Sequence, residues 1–195
     1  MDGKVALVTG GAGFIGSHLV EELLDNGVKT RVLVHYDSSA GLGWLRGFEN
    51  REGLEIVRGD IRDIDSCHSL APDVTHVFHL AALISVPYSY VSPDANISAN
   101  AIGTLNLLQS FRNSSLENFV MMSTSEVYGG PDGKPLKEDI ALNPKSPYAA
   151  SKASAEMICN AFKASYAMPI TVARTFNTYG PRQSTRAVIP VIIKQ

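Results

Sequence analysis

Three glycines mark the junction of a predicted strand and a predicted helix near the start of the chain. The strand is the apolar run at residues 4–9, and the helix is at residues 14–26, where apolar residues recur with a helical period. Gly10 permits a tight turn, Gly13 lets a pyrophosphate approach the backbone, and Gly16 lets the helix and the strand pack closely. The pattern therefore predicts the first βα turn of a dinucleotide-binding unit.

The start of this helix would complete the phosphate site. Backbone N–H groups in the first helical turn, such as those of Phe14 and Ile15, have no acceptor within the helix, and the helix dipole adds partial positive charge there. We therefore expect Gly10, Gly13, Phe14, Ile15 and Gly16 to bind the cofactor. A glycine turn with a purely structural role is the alternative.

Apolar runs alternate with helical stretches along the rest of the chain. The predicted strands are residues 4–9, 30–36, 54–58, 74–80, 119–123 and 170–175, and the later predicted helices are 63–70, 95–112 and 147–167. Strands that alternate with helices of this length favour right-handed crossovers. The sequence therefore predicts an α/β fold, a doubly wound parallel sheet (Rossmann fold) with helices on both faces.

The predicted elements divide the chain unequally. Residues 1–175 contain a whole nucleotide-binding domain, whereas residues 176–195 contain a turn and an apolar segment that stops within what resembles a helix. We interpret 176–195 as the beginning of a substrate-binding region that is truncated. A naturally short protein that ends in a frayed helix is the alternative.

Composition excludes several classes of function. With a formal net charge of -2 in 195 residues, the chain has no electrostatic basis for binding nucleic acid or an anionic membrane. It has no apolar run of about 18 residues that could cross a membrane. Its N-terminus has no signal-peptide pattern, so we expect a cytoplasmic protein. Cys67 and Cys159 have no metal or disulfide spacing, no histidine cluster suggests a metal, and we expect none.

Four polar residues in the second half of the chain could form one redox site. Thr124 and Glu126 follow the fifth predicted strand, where open α/β sheets bind ligands. Tyr148 and Lys152 are four residues apart near the start of a helix that Pro147 opens, so they lie on the same helical face. A phenol with a pKa of about 10 is a poor base, and a lysine nearby can favour the phenolate.

These motifs together resemble the short-chain dehydrogenase/reductase superfamily, in its extended branch of nucleotide-sugar enzymes. The resemblance covers the length of the chain and rests on the glycine motif, Gly59-Asp60-Ile61, His79-Leu80-Ala81-Ala82, Asn100-Ala101-Ile102-Gly103-Thr104 and the Tyr148/Lys152 pair. It implies that Asp60 and Ile61 flank the adenine of the cofactor. It also implies that Leu80, Ala81 and Ala82 line the nicotinamide side.

The end of the second predicted strand bears on the choice of cofactor. NAD-selective members of the family often end this strand with a carboxylate, and here Asp37 arrives late, after His35 and Tyr36. NADP-selective relatives carry arginines near these positions, and this chain has none there. We predict NAD, with Asp37 as a contact to the adenosine ribose, and we leave NADP open.

The resemblance also assigns roles to the four polar residues. Tyr148 would remove a hydroxyl proton of the sugar, Lys152 would lower the pKa of Tyr148 and hold the nicotinamide ribose, and Thr124 would bond the same sugar oxygen. Epimerases of this branch need only these three residues, whereas a 4,6-dehydratase needs a further base, which Glu126 supplies. The triplet Thr124-Ser125-Glu126 resembles that of GDP-mannose 4,6-dehydratases, and Ser125 stands where dTDP-glucose 4,6-dehydratases carry an aspartate. We therefore predict a nucleotide-sugar 4,6-dehydratase, with a UDP-sugar 4-epimerase as the alternative.

Three further segments resemble bacterial NAD-dependent 4,6-dehydratases that act on nucleotide-linked N-acetylhexosamines. They are 43–45, 81–90, which includes Ser85, and 177–184, which includes Asn177 and Arg182. By similarity Ser85 and Ser125 would contact the substrate, and Asn177 and Arg182 would meet its diphosphate. The resemblance further implies a homodimer. If the substrate region is incomplete, we expect the chain to bind the dinucleotide with little or no turnover.

Overall fold

Six parallel strands form one sheet. The computed structural model describes residues 3–35, 41–130 and 135–194. The strands are β1 (Val5–Thr9), β2 (Lys29–His35), β3 (Leu54–Gly59), β4 (His76–His79), β5 (Asn118–Thr124) and β6 (Ile170–Thr175). Their order across the sheet is β3-β2-β1-β4-β5-β6. The predicted parallel sheet is confirmed, and each predicted strand differs from the observed one by at most two residues at either end.

Helices follow most of the strands. They are α1 (Phe14–Asp25), α2 (Ile64–Ser69), α3 (Val86–Val91), α4 (Pro93–Asn96), α5 (Gly103–Phe111), α6 (Pro147–Tyr166) and α7 (Val188–Ile193). A π-helical segment, Ile97–Ile102, joins α4 to α5, so the helix predicted at 95–112 is continuous but not regular. Sequence reasoning missed α3 and two short 3-10 helices, Gly43–Leu45 and Ser125–Tyr128, because such short elements carry little periodicity.

The two faces of the sheet bury different side chains, as alternation along a strand requires. From β1, Leu7 enters the core beneath α2, α5 and α6, while Ala6 and Val8 enter the core beneath α1. The first core also holds Leu107, Phe111, Phe119, Met121 and Cys159, and the second holds Val20, Leu23, Val32 and Leu45. A strand that is apolar on both sides suits a sheet covered on both faces, as predicted.

The strand register aligns the carboxyl ends of the central strands. Thr9 at the end of β1 is paired with His79 at the end of β4, and Thr124 at the end of β5 is paired with Thr175 of β6. The chain reverses direction across the sheet between β1 and β4. Ligands of open α/β sheets bind outside the carboxyl ends of the strands at such a switch point, so the predicted site residues lie at this edge.

No helix in the described ranges 3–35, 41–130 and 135–194 is long and apolar enough to cross a membrane.

Candidate active site

The glycine turn after β1 has the conformation that the sequence predicts. Gly10 has a φ of +73°, and a Cβ there would lie 2.8 Å from the backbone N of Ala81. A Cβ on Gly16 would overlap the carbonyl oxygen of Gly10. Gly13 is less restricted, because its Cβ would approach only the Gly10 carbonyl oxygen, at 3.3 Å. Side chains are thus excluded where the turn passes β4 and α1.

The first turn of α1 presents unpaired donors. Gly13 is the N-cap and has no side-chain capping bond, and the first turn contains no acidic residue. The first helical hydrogen bond runs from Ser17 N to Gly13 O, at 3.0 Å. The N–H groups of Phe14, Ile15 and Gly16 therefore have no partner within the helix, and the helix dipole makes this end positive. The donor set fits a phosphate group.

Two glycines that sequence reasoning did not assign to this site complete the turn. A Cβ on Gly11 would lie 2.5 Å from Val32 Cγ1 on β2. Gly43 has a φ of +52°, and a Cβ there would overlap the carbonyl oxygen of Ala12. Trp44 N donates to that oxygen at 3.0 Å. Residues 42–45 therefore pack on the glycine turn, a contact that no local pattern reveals.

The loop after β3 holds Asp60 and Ile61 at the same edge of the sheet. The Asp60 carboxylate accepts from Arg62 Nε at 2.9 and 3.0 Å, and the bonds from Arg62 keep the pKa of Asp60 below its usual value. Asn106 Nδ2 on α5 donates to the carbonyl oxygens of Ile61 and Arg62, at 3.0 Å each. The backbone of this loop is thus fixed by α5. Asp37 lies outside the described residues.

The segment after β4 turns toward the glycine loop. Leu80 N donates to Thr9 O and Ala81 N donates to Thr9 Oγ1, both at 3.2 Å. Leu80, Ala81 and Ala82 are half-buried. Further along, Asn100 holds Leu83 through both backbone groups, at 2.8 and 3.0 Å. The three residues that the resemblance assigns to the nicotinamide side therefore adjoin the predicted phosphate turn.

Tyr148 and Lys152 occupy the first turns of α6. Ser146 caps the helix by accepting from Ala149 N at 3.1 Å, and Pro147 is at the first helical position. Both catalytic candidates are buried, with 8% of Tyr148 and 4% of Lys152 exposed. Burial lowers the pKa of Lys152 from 10.5 to about 8, against the opposing effect of the nearby Cys159 and Glu156.

The phenol of Tyr148 does not have the lowered pKa that the sequence argument expected from Lys152. Burial raises its pKa, a hydrogen bond from the Thr124 hydroxyl lowers it, and the charge of Glu126 raises it. Desolvation of the phenolate thus outweighs the hydrogen bond. The same causes show that Thr124 and Glu126 are both close to this phenol.

Thr124 and Glu126 reach Tyr148 because β5 ends in the short 3-10 helix Ser125–Tyr128. Thr124 caps this helix, and its Oγ1 accepts from Glu126 N at 3.2 Å. Gly129 ends the helix in the left-handed conformation. Glu126 is exposed, and Ser125 is half-buried between the two. A hydroxyl, a carboxylate and a phenol thus converge at the carboxyl edge of β5.

The structure places Arg182 on α1. Its Nη2 donates to Glu21 Oε2 at 2.6 Å, and its Nη1 donates to Ser17 Oγ at 3.3 Å. His18 Nε2 lies 3.0 Å from Pro181 O on the same segment. Arg182 has a φ of +69°, a left-handed conformation that costs a non-glycine residue about 1 kcal/mol. The segment around Arg182 is therefore anchored to the helix that follows the glycine turn.

The predicted substrate residues Asn177 and Ser85 are exposed. Asn177 lies two residues after the end of β6. Ser85 caps α3, where its Oγ accepts from Tyr88 N at 3.3 Å.

The sequence profile of the family described as GDP-mannose 4,6 dehydratase matches residues 7–195. The chain belongs to the NAD-dependent epimerase/dehydratase family of extended short-chain dehydrogenases/reductases. The resemblance inferred from the sequence is thereby confirmed.

Members of this family that resemble the chain catalyse more than one reaction. The low-salt glycan biosynthesis protein Agl12 of Haloferax volcanii is 37% identical over 97% of this chain and 61% of its own length. The UDP-N-acetylglucosamine 4-epimerase of Methanobrevibacter ruminantium, solved with UDP-N-acetylmuramic acid, is 38% identical, with a TM-score of 0.90 over 100% of this chain and 63% of its own. DesIV of Streptomyces venezuelae, a dTDP-glucose 4,6-dehydratase solved with NAD and TYD, is 34% identical, with a TM-score of 0.88 over 97% and 61%.

The chain therefore spans about three fifths of the length of these relatives. The prediction of NAD is confirmed for the family, because solved members such as DesIV contain it. The comparisons include both 4,6-dehydratases and 4-epimerases, so they establish the enzyme family and leave the reaction to the residues of the site.

One buried ion pair beside the site was missed from the sequence. Glu156 on α6, of which 1% is exposed, accepts from Arg174 Nη2 on β6 at 2.8 Å and from the Ser123 hydroxyl. Arg174 Nη1 also donates to the Tyr128 hydroxyl at 2.9 Å. The pair thus connects α6, β5, β6 and the 3-10 helix that carries Glu126. A glutamate eight residues after Tyr148 was the available signal.

Among the residues that the structure describes, no group of three His, Cys, Asp or Glu side chains could hold a metal ion. Cys67 and Cys159 are free and buried, and burial raises the pKa of each thiol to about 12.

Proposed function

We propose that this chain is the cofactor-binding and catalytic part of a nucleotide-sugar 4,6-dehydratase. The observation that carries the proposal is the position of Glu126, whose backbone N–H donates to Thr124 Oγ1 at the carboxyl end of β5 and whose charge raises the pKa of the Tyr148 phenol. Oxidation and reduction at one carbon need a phenol, a lysine and a hydroxyl. A second acid or base next to them suits a reaction that also removes water.

We further propose that the cofactor is NAD. The unpaired N–H groups of Phe14, Ile15 and Gly16 would bind its pyrophosphate, and Asp60 and Ile61 would flank its adenine. Leu80, Ala81 and Ala82 would line the nicotinamide. When bound, the nicotinamide would take a hydride from the sugar and return it. A titration in which NADP binds more tightly than NAD would overturn this choice.

Tyr148 would act as the base for the C4 hydroxyl of the sugar. A hydrogen bond with Thr124 lowers the pKa of this phenol, and the Thr124 hydroxyl would share the same sugar oxygen. Lys152, whose pKa is about 8, is mostly protonated at neutral pH, and it would hold the nicotinamide ribose. Tyr148 would thus take the proton of the C4 hydroxyl, and its burial would limit the access of water to that proton.

Glu126 would remove the proton at C5, which the C4 ketone acidifies, as the C6 hydroxyl leaves. C5 would regain a proton when the hydride returns to C6. Its position next to Ser125 allows either the carboxylic acid or a water held by Ser125 to protonate that hydroxyl. Glu126 is exposed in the 3-10 helix that follows β5, which leaves its carboxylate accessible to a substrate and supports this role.

The test is to incubate the whole protein that contains this chain with NAD and with UDP-, GDP- and dTDP-sugars. We expect a 4-keto-6-deoxy product, detected by mass spectrometry as the loss of water. Glu126→Gln should abolish the loss of water and still permit partial oxidation at C4, seen as NADH absorbance. Glu52→Gln, which changes an exposed acid in the turn before β3, should have no effect. Normal dehydration by Glu126→Gln would refute the proposal.

A 4-epimerase of UDP-sugars is the second candidate, and the similarity to the Methanobrevibacter epimerase favours it. In that case Glu126 would be incidental. A product with inverted C4 and the mass of the substrate would identify this reaction.

The substrate region is proposed to begin at residue 176, after β6, with residues 1–175 as the cofactor domain. Asn177 and Arg182 would face the substrate diphosphate, and Ser85 and Ser125 would contact the sugar. For Arg182, this role would require the guanidinium to share or leave Glu21. Alanine at Asn177 or Arg182 should then raise the KM for the nucleotide sugar and leave the Kd for NAD unchanged.

A homodimer through the central helices is also proposed. Apolar side chains are exposed on the π-helical segment, at Ile97 and Ile102, and on α6, at Met157, which is 52% exposed. Sedimentation should give twice the chain mass, and Met157→Asp should give the monomer.

A further inference from the structure

A chain of buried hydrogen bonds runs from the end of β1 to α5. Thr9 Oγ1 lies 2.8 Å from His79 Nδ1, and His79 Nε2 lies 2.9 Å from Thr104 Oγ1. Thr104 Oγ1 lies 2.6 Å from the carbonyl oxygen of Asn100. At the other end, Ala81 N donates to Thr9 Oγ1 at 3.2 Å. His79 is 1% exposed, and Thr9 and Thr104 are fully buried.

The geometry allows one assignment of the hydrogens. The Thr104 hydroxyl has one hydrogen, and the 2.6 Å approach to the Asn100 carbonyl, which can only accept, requires it. Thr104 must therefore accept from His79 Nε2–H. In a neutral imidazole Nδ1 is then an acceptor, and it takes the hydrogen of Thr9. Thr9 in turn accepts from Ala81 N–H, so each donor in this series of hydrogen bonds has an acceptor.

A His79 ring that is protonated on both nitrogens does not fit this series of hydrogen bonds. A hydrogen on Nδ1 would point at Thr9, whose own hydrogen would lose its acceptor. It would also add a buried positive charge near Lys152. In agreement, burial and then the charge of Lys152 lower the pKa of His79 to about 3.

The two ends of this series of hydrogen bonds contact different parts of the candidate site. At one end, Ala81 is in backbone contact with the glycine turn, because a Cβ on Gly10 would lie 2.8 Å from Ala81 N. At the other end, Asn100 Nδ2 donates to Ser151 Oγ at 2.8 Å. Ser151 Oγ donates to the carbonyl oxygen of Tyr148 at 2.7 Å. This series of hydrogen bonds thus links the glycine turn to the first turns of α6.

We propose that His79 is a positioning residue that, as the Nε2–H tautomer, holds the Leu80–Ala81 backbone in register with the helix that carries Tyr148. This inference deepens the proposed function and rests on it, because Leu80 and Ala81 matter only if they face the nicotinamide of bound NAD. His79 touches neither the cofactor nor the substrate in this role. It acts through Ala81 on one side and through Asn100 on the other.

The first test observes the tautomer directly. In protein with 15N-labelled histidine, the His79 ring should give the chemical shifts of a neutral imidazole protonated at Nε2, unchanged from pH 5 to pH 9. A ring protonated at Nδ1, or one that titrates in this range, would overturn the assignment. This measurement requires neither cofactor nor turnover.

The second test separates positioning from stability by comparing Kd values for NAD and for ADP-ribose, which lacks the nicotinamide. Thr9→Val leaves Ala81 N–H without its acceptor, and we expect the Kd for NAD to rise about tenfold and that for ADP-ribose less than about twofold. Thr30→Val is the matched control, since Thr30 on β2 is equally buried and its hydroxyl donates to Val28 O at 2.9 Å. It should change neither Kd.

Two variants of His79 keep the inference testable if Thr9→Val folds poorly. His79→Gln retains a donor toward Thr104, and His79→Leu retains neither bond. The ratio of the Kd for NAD to that for ADP-ribose should be higher in His79→Leu than in His79→Gln. Equal ratios in the two variants and in the wild type would refute the positioning role. Failure of the wild type to bind NAD at all would instead refute the proposed function.

Discussion

Arg174 on β6 and Glu156 on α6 form a buried ion pair, with Nη2 and Oε2 2.8 Å apart, behind the candidate catalytic residues. Glu156 is four residues after Lys152 and also accepts from the Ser123 hydroxyl, next to Thr124. Arg174 reaches the Tyr128 hydroxyl on the 3-10 helix that includes Glu126. The pair therefore helps to set the position of that helix relative to α6.

Removing the charge of Glu156 should strongly destabilise the fold. Glu156→Gln leaves the Arg174 guanidinium without its carboxylate, and a broken buried pair costs about 3 kcal/mol or more in the free energy of unfolding. Urea denaturation measures the loss. Glu55→Gln breaks the Arg31–Glu55 pair, in which Glu55 is 56% exposed, and should cost less than about 1 kcal/mol. Equal losses in the two variants would contradict this prediction.

Lys152 should make stability rise at alkaline pH. Its pKa is about 8 in the folded protein and 10.5 in the unfolded chain, so between these values the unfolded chain binds more protons. Stability should therefore increase as the pH rises through this window. Lys152→Met should be more stable than the wild type at pH 7, by up to about 3 kcal/mol, and the difference should shrink toward pH 10.5.

Lys163→Met on the exposed side of α6 is the control for this comparison. It should show no such pH-dependent difference in the unfolding free energy. A constant difference between Lys152→Met and the wild type from pH 7 to pH 10 would contradict the lowered pKa.

His79 should make the fold sensitive to acid. Its pKa is about 3 in the folded protein and 6.5 in the unfolded chain, so protonation of the unfolded chain below pH 6.5 lowers stability. The wild type should lose about 3 kcal/mol from this residue by pH 4.5, and His79→Gln should not. Unfolding curves between pH 7 and 4.5 give the two slopes. His68→Gln, which changes an exposed histidine, should keep the slope of the wild type.

Glu126 should affect the pH dependence of C4 oxidation. Its negative charge raises the pKa of Tyr148, so Glu126→Gln should lower that pKa. The rising limb of the rate of NADH formation in a single turnover should therefore shift to lower pH. The conservative variant Glu126→Asp keeps the charge and should shift less. An unchanged limb in Glu126→Gln would mean that the carboxylate does not face the phenol.

Local sequence patterns were sufficient to predict those parts of the site whose residues lie close together in the sequence. Gly10 and Gly16 follow an apolar run, and their backbone geometry is the one that this pattern predicts. The spacing of Tyr148 and Lys152 places both on one face of α6 whatever surrounds them. The direction of the shift in the pKa of Tyr148 could not be predicted from the sequence, because desolvation depends on which side chains pack around the phenol.

Residues far apart in sequence account for the rest. Arg182 lies on Glu21 although 161 positions separate them. The packing role of Gly43 was missed because a side chain there would overlap the carbonyl oxygen of Ala12, which lies in another loop. The role of His79 was equally hidden, since the sequence of β4 carries no sign of the two threonines that flank the His79 ring.

The sequence by itself predicted the parallel sheet and the glycine turn, because apolar runs and helical spacing are local properties of the chain, and its resemblance to a known family singled out the four catalytic candidates. Only the tertiary structure decided which charges are buried, which tautomer His79 adopts and where Arg182 lies. These depend on desolvation and on hydrogen-bond partners, and both are set by segments that meet only when β1, β4, β5 and β6 assemble at one edge of the sheet.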